Sequence, residues 1–124
     1  MIEAKELRIG DFVHHTMMTN VHIGKVLSIQ EKIIKVKTDK MTVSVKTLKN
    51  GEVLQVEPIP ITEEWLIKLG FESVQEFIAC LQSNIFEVSF RLDEFTVNQI
   101  MSLPIHKLQN LYFALTGEEL TIEI

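Results

Sequence analysis

The chain has 124 residues, 46% of them hydrophobic and 23% charged, which is enough apolar sequence for a small domain with a core and too much for general disorder. No run approaches the roughly 18 apolar residues that a membrane-spanning helix needs, and the N-terminus lacks the pattern of a secretion signal. The single cysteine excludes an internal disulfide, so we expect a cytoplasmic protein.

The net charge of −5 is unevenly distributed along the chain. Seven lysines lie between residues 25 and 49, with only Glu31 and Asp39 to offset them, whereas the segment from residue 50 onward carries twelve acidic and three basic residues. Such a separation favours oppositely charged partners for the two halves. A solvated, lysine-rich strand face would give the same pattern, and both interpretations stay open.

Residues 7–57 predict short strands joined by tight turns. "KIIKVKT" and "MTVSVKTLK" alternate with the period of two that is typical of strands, and Gly24 is expected to mark a bulge. A two-residue turn at Asp39-Lys40 would pair Val36 with Val43 and Ile34 with Val45, and another at Asn50-Gly51 would pair Val45 with Val56. Both turns then place the same apolar set on one core face: Ile34, Val36, Val43, Val45, Leu54 and Val56. The predicted architecture is a small SH3-like barrel or sheet of about five strands.

The other face of these hairpins is basic. The alternation that buries the valines turns Lys35, Lys37 and Lys46 outward, and Lys32 and Lys40 lie beside them in sequence. These five lysines are candidate partner-binding residues.

A boundary follows the β-rich part at "EPIPIT", where Pro58 and Pro60 end the sheet. We therefore expect a β-rich half, 1–57, and an α+β half, 58–124, packed on it or merged with it in one compact domain. A helix is predicted over 62–69, because Thr62 can cap its first N–H groups and Gly70 can end it.

The middle of the second half is harder to interpret. "IFEVSFRL" (85–92) alternates as a strand, and "FTVNQIM" (95–101) is a weaker strand. "SVQEFIACLQ" (73–82) suits a helix or a strand, and the turn signal at Ser83-Asn84 favours a strand.

Residues 104–116 predict a second helix, which Pro104 begins and Gly117 ends. "ELTIEI" (119–124) then alternates as a closing strand. An apolar stripe on the helix suits packing against the sheet, so this segment needs no chemistry to explain it. The stripe consists of Ile105, Leu108, Leu111, Tyr112 and Leu115.

Two segments carry a family resemblance. "PIPITEEWLIKLGF" (58–71) and "LQNLYFALTGEEL" (108–120) resemble paired signatures of small, mostly uncharacterised proteins from Bacteroidota and their phages and prophages. The "LRIGDFV" start and the β-rich first half resemble the same proteins. No catalytic residue comes with the resemblance, which implies a mobile genetic element and a bacterial host.

Few residues suggest chemistry. A loop over 16–20 would place His14 opposite His22, which makes these two weak candidates for a metal site, although surface histidines would give the same pattern. Cys80 lies in an apolar run typical of a core cysteine. The sequence predicts no enzyme, cofactor or small-molecule substrate. Trp65 and Tyr112 are candidate partner contacts, with a core position as the alternative.

Together these features predict a non-enzymatic phage-type binding protein. The leading hypothesis is an anti-CRISPR-like inhibitor of a host defence nuclease that binds the protein or its RNA, with the acidic half suited to a basic nuclease groove. One alternative is a nucleic-acid-binding module that uses the lysines of residues 25–49. Another is a phage structural or accessory protein that assembles through an edge strand.

Overall fold

The computed structural model describes residues 2–85 and 94–122 and shows an α+β fold. Within these ranges a short 3₁₀ helix, Ala4–Glu6, precedes one antiparallel sheet, and four α-helices follow it. The strands are β1 (Phe12–Met17), β2 (Asn20–Ile29), β3 (Ile33–Lys37), β4 (Thr42–Lys46) and β5 (Val56–Glu57), and the helices are α1 (Glu63–Lys68), α2 (Val74–Ile85), α3 (Glu94–Met101) and α4 (Ile105–Thr116).

The sheet is open rather than closed. Its strand order is β4-β3-β2-β1-β5, so β4 and β5 lie at opposite edges and do not pair with each other. The prediction of a five-stranded sheet followed by helices is confirmed at this level. None of the helices in the described ranges combines the length and the apolarity needed to cross a membrane.

The β3–β4 hairpin has the predicted register. Val36 pairs with Val43 and Ile34 with Val45, across a two-residue turn at which the Thr38 N–H donates to the Met41 carbonyl at 2.8 Å. Because successive side chains alternate between faces, this register buries Ile34, Val36 and Val45, partly buries Val43, and exposes the lysines between them.

The predicted turn at Asn50-Gly51 is wrong by one residue. The Leu48 N–H donates to the Glu52 carbonyl, so the loop has a third member before Asn50. Only Gly51 takes a positive φ, 92°, which suits a three-residue loop rather than a type I′ turn. The shift buries Val53 and leaves Leu54 40% exposed, so Leu54 is not a core residue.

The predicted partner of Val56 also differs. Val56 is buried as expected, but it pairs with His15 of β1 instead of with Val45 of β4. Since a one-residue slip reverses the face of each later side chain, the extra loop residue prevents β5 from continuing the β3–β4 hairpin.

Gly24 does not mark the bulge. It pairs regularly with Val13, and the irregularity in β2 lies between Val26 and Ser28. Gly24 instead allows a close approach between strands, because an added Cβ would overlap Val36 Cγ1.

The two faces of the sheet bury two separate cores. One face, here called the valine face, carries Val13, Val26, Val36 and Val45, and it packs with Ile2, Leu7 and Val53 from the segments around it. The opposite face carries Phe12 at the β1 end, where Phe12 packs with helical residues such as Leu66 and Leu108. The described helices therefore cover the β1 end of that second face.

The α1 helix begins and ends as predicted. Thr62 Oγ1 accepts the Trp65 N–H at 3.2 Å. Gly70 has a φ of 103°, and the Phe71 N–H donates to the Leu66 carbonyl at 3.0 Å. The last two features are the left-handed residue and the six-to-one bond of a Schellman ending.

Residues 74–85 form the helix α2, so the strand favoured for 73–82 is wrong. The sequence contains a helix start that outweighs the turn signal: Ser73 Oγ accepts the Glu76 N–H at 3.1 Å, and Glu76 Oε2 accepts the Glu72 N–H at 2.7 Å. This arrangement is close to a capping box, whose pattern Ser-x-x-Glu is visible in the sequence.

Three other strands were predicted, over residues 85–92, 95–101 and 119–124, and their outcomes differ. Residues 95–101 belong to α3, so that strand is also wrong. Residues 119–122 form no strand, although Leu120 is buried, and residues 123–124 lie outside the described residues. The strand predicted over 85–92 begins at Ile85 within α2 and otherwise lies outside the described residues.

The α4 helix matches the second predicted helix, 104–116, to within one residue. Pro104 is the N-cap rather than the first helical residue, and Gly117 ends the helix with a φ of 77°. The Ile105 N–H donates to the Ile59 carbonyl at 2.7 Å, which fixes the start of the helix beside the segment that leaves the sheet.

Replacing Gly24 with alanine is expected to lower the free energy of unfolding by about 1–3 kcal/mol, because the new methyl would overlap Val36. Chemical denaturation of the single variants and of Gly24→Ala/Val36→Ala measures the coupling. The double variant should lose less stability than the sum of the two singles, by about 1 kcal/mol or more. Simple additivity would contradict the close approach.

Candidate partner-binding face

The exposed end of the second sheet face is lysine-rich. Lys35 and Lys37 of β3 and Lys46 of β4 are all exposed, and we call the surface that they form the lysine face. Lys46 lies opposite Ile33, two residues along the strand from Lys35. The period-two alternation that buries Ile34, Val36 and Val45 therefore also positions these amines.

The remaining candidate lysines lie around this hairpin. Lys32 precedes β3, Lys40 lies in the β3–β4 turn, and both are exposed. Within the described part of the chain, none of the five candidate lysines forms an ion pair. The structure thus brings Lys35, Lys37 and Lys46 together and places Lys32 and Lys40 near the ends of the hairpin.

The helical layer begins where the lysine face ends. Lys37 pairs with Lys25 of β2, and Lys25 pairs with Phe12 of β1, so the three residues cross one sheet face in a row. Lys25 is half-buried, with its Nζ 6.0 Å from the centre of the Phe12 ring and 3.4 Å from Thr121 Oγ1. The C-terminal segment therefore borders the basic end of this face.

A buried glutamine attaches the helices to the sheet. Gln109 of α4 is fully buried, and its Oε1 accepts the Phe12 N–H at 2.7 Å. Its Nε2 donates to the carbonyls of Gly10, at 3.1 Å, and Leu120, at 2.8 Å. One side chain thus satisfies main-chain groups of β1, the preceding turn and the C-terminal segment.

Gln109 is not among the predicted site residues, although the sequence contains a signal for it. Ile105, Leu108, Gln109 and Tyr112 follow the i, i+3, i+4, i+7 spacing of a buried helical stripe, and all four are buried. A glutamine on such a stripe has to satisfy its amide inside the protein. The predicted packing of this helix against the sheet therefore includes a specific polar contact.

Ionisable groups lie near the place where Gln109 joins α4 to the sheet. Asp11 is 1% exposed, and burial raises the pKa of its carboxyl to about 7, although the Arg8 N–H donates to Oδ2 at 3.0 Å and favours the charged form. His106 is also buried, and burial lowers its pKa despite the Glu6 carboxylate 3.5 Å away. The hydrogen bond from the Glu3 N–H lowers the pKa of Glu6.

The predicted histidine pairing is wrong. A tight turn at Met18-Thr19 places His14 opposite Ile23, and His15, not His14, lies opposite His22. His15 is 3% exposed, and burial lowers its pKa, with the charge of a protonated His22 acting in the same direction. No cluster of three or more potential metal ligands occurs among the described residues.

The two aromatic candidates are buried. Trp65 is 6% exposed and lies 6.0 Å from Phe12, measured between ring centres, in the core beneath α1. Tyr112 is 8% exposed, with its hydroxyl 3.7 Å from Cys80 Sγ, and burial helps to raise its pKa to about 12. Both placements favour the core position that the sequence left open.

Comparison of the chain with protein-family models, with curated proteins and with solved structures found no match.

Replacing Gln109 with alanine is expected to lower the free energy of unfolding by about 2–4 kcal/mol, because it leaves the buried Phe12 N–H and the Gly10 and Leu120 carbonyls without their partner. Gln75→Ala is the matched control, since Gln75 is an exposed helical glutamine, and it should change stability by less than about 0.5 kcal/mol. Equal losses in urea denaturation would contradict the role of Gln109.

Replacing Asp11 with asparagine should alter the pH dependence of stability. Between pH 3.8 and about 7 the Asp11 carboxyl is protonated in the folded chain but ionised in the unfolded chain, so its contribution to stability falls as the pH rises. The variant should therefore gain on the wild type by about 4 kcal/mol between pH 3.5 and 8. Denaturation across this range measures the gain, with the exposed Glu31→Gln as control. A pH-independent difference would contradict the raised pKa.

Proposed function

We propose that this chain is a non-enzymatic binding protein that uses the lysine face to engage an anionic partner. In this proposal it is a phage or prophage protein acting in the bacterial cytoplasm, where it inhibits a host defence nuclease of the CRISPR type by binding the protein or its RNA. The observation that carries the proposal is the lysine face itself: Lys35, Lys37 and Lys46 on one exposed, regular surface without ion-paired partners among the described residues.

The geometry of the face suits a polyanion. Lys35 and Lys37 are two residues apart on a strand, which separates their Cα atoms by about 6.6 Å. Both side chains are exposed and form no ion pair with another described residue, so binding to phosphates or carboxylates would release counterions rather than break ion pairs seen in the structure. Ile33 of β3 adds an apolar patch, 41% exposed, beside Lys46.

The charge of the helical half supports a nuclease as the target. Exposed acidic residues lie on α1, on α2 and in the C-terminal segment, for example Glu64, Glu76 and Glu118. A molecule with one basic and one acidic region can contact a bound RNA and the basic groove around it at the same time.

We further propose an SH3-like fold for the β-rich half. The strand order returns β5 to β1 after a meander of four strands, and bridges from Thr47 to Val53 and from Glu3 to Glu52 bring the chain towards closure. These features support an opened version of a small SH3-like barrel whose outer surface includes the lysine face.

A nucleic-acid-binding module without a nuclease target is the second candidate, favoured by the same lysines. Phe12 is the aromatic residue on this sheet face, and it is buried beneath the helices, so base stacking does not contribute. Binding of this kind would depend on phosphate contacts and would be insensitive to sequence.

Reversing the charge of the lysine face should strongly reduce inhibition. Phage plaquing on a host that carries a CRISPR nuclease is measured with the wild type, with Lys35→Glu/Lys37→Glu/Lys46→Glu, and with Lys5→Glu/Lys68→Glu as the control outside the face. The wild type and the control should restore plaquing, whereas the lysine-face variant should restore it at least about tenfold less.

Binding of single-stranded RNA by the pure proteins separates the two candidates. One possible result is that the wild type binds RNA in a salt-dependent way, that the lysine-face variant does not bind RNA, and that the wild type has no effect on plaquing. This result would reject nuclease inhibition and leave the second candidate. If the control variant fails equally in both assays, the lysine face has no special role.

A further inference from the structure

The backbone of β4 is unpaired along part of its outer side, as far as the described residues are concerned. The Thr38 N–H donates to the Met41 carbonyl at 2.8 Å and the Thr47 N–H to the Lys32 carbonyl at 2.9 Å, which fixes which residues bond across the β3–β4 ladder. Because inward and outward groups alternate in an antiparallel pair, the N–H and C=O groups of Thr42 and Ser44 point away from β3.

This edge is covered only at one end. The Lys46 carbonyl accepts the Leu54 N–H at 2.8 Å, whereas no described residue bonds to the outward groups of Thr42 and Ser44. Both residues are exposed. A short stretch of strand edge is therefore open to another chain, the arrangement that proteins use for strand addition.

Charge decides which chain can pair there. Lys46 lies on the edge strand, Lys35 and Lys37 on the strand behind it, and Lys40 at the turn, all exposed. A second copy of this protein paired through β4 would bring two such groups of lysines together, and like charges on adjacent strands oppose pairing. An acidic chain would instead be attracted.

The side chains of β4 set the pattern of that chain. Thr42 and Ser44 are short, so the amines of Lys35 and Lys37 can reach over them to carboxylates on an added strand. On the valine face, Val43 is only partly buried and would be covered by an apolar residue. Acidic and β-branched residues therefore need to alternate in the partner.

We propose that the free edge of β4 binds, by strand addition, an extended protein segment in which acidic and β-branched apolar residues alternate. The main chain of β4 forms this site, in addition to the lysine side chains that bind the anionic partner in the proposed function. The proposed strand addition does not depend on what activity the protein partner has.

The probe is the peptide acetyl-Glu-Val-Glu-Val-Glu-Val-Glu-amide, compared with acetyl-Glu-Glu-Val-Val-Val-Glu-Glu-amide, which has the same composition and charge. Calorimetry should show the alternating peptide binding at least about tenfold more tightly. Two further versions of the alternating peptide are N-methylated, one on the glutamate amides and the other on the valine amides. One of them should lose binding and the other should keep it, because only alternate N–H groups of an added strand face β4.

Ser44→Pro removes the outward N–H and leaves the β3 ladder in place, whereas Ser44→Ala keeps the donor. Ser44→Pro should reduce peptide binding at least about tenfold, with Ser44→Ala near the wild type and both folded by circular dichroism. RNA binding to the lysine face should be unaffected by either change.

Three results would overturn the proposal. The first is equal or absent binding of the two peptides. The second is loss of binding by both N-methylated peptides, or by neither of them. The third is concentration-dependent dimerisation in sedimentation that Ser44→Pro removes, since it would make a second copy the occupant of the edge. The N-methylated peptides keep the test decisive if Ser44→Pro fails to fold.

Discussion

The structure depends on the side-chain amide of Gln109. The β5 strand pairs with β1 only at His14 and His15, so it stops short of Phe12. At that point the Gln109 amide takes the place of a strand neighbour, accepting the Phe12 N–H and donating to the Gly10 and Leu120 carbonyls. An unsatisfied N–H in this core would cost about 1–3 kcal/mol, so the contact fixes where α4 lies on the sheet.

The position of α4 determines what the rest of the sheet can do. With the helices packed over Phe12 at the β1 end, the same sheet face is left open at the β3–β4 end, where it carries the lysine face. The valine face is closed on its own core. Both proposed contacts, through lysine amines and through the β4 edge, lie at the end of the sheet away from the described helices.

Local patterns in the sequence were sufficient where one interaction decides the structure. Alternation and a two-residue turn specify the β3–β4 hairpin, and Thr62 and Gly70 specify α1. They were insufficient where signals compete or contacts are distant. The capping pattern at Ser73 outweighed an apparent turn, and Gln109 acts on Phe12, 97 residues away, which local periodicity cannot reveal. The partner of the lysine face likewise depends on chemistry outside the chain.

Amide hydrogen exchange of the intact protein, followed by NMR, tests this arrangement most directly. The Phe12 amide proton should exchange only through global unfolding, because its acceptor is a buried side chain, whereas the Ser44 amide proton should exchange almost as fast as an unprotected amide. Rapid exchange at Phe12 would contradict the attachment of the helices through Gln109. Slow exchange at Ser44 would show that the β3–β4 end of the sheet is not open.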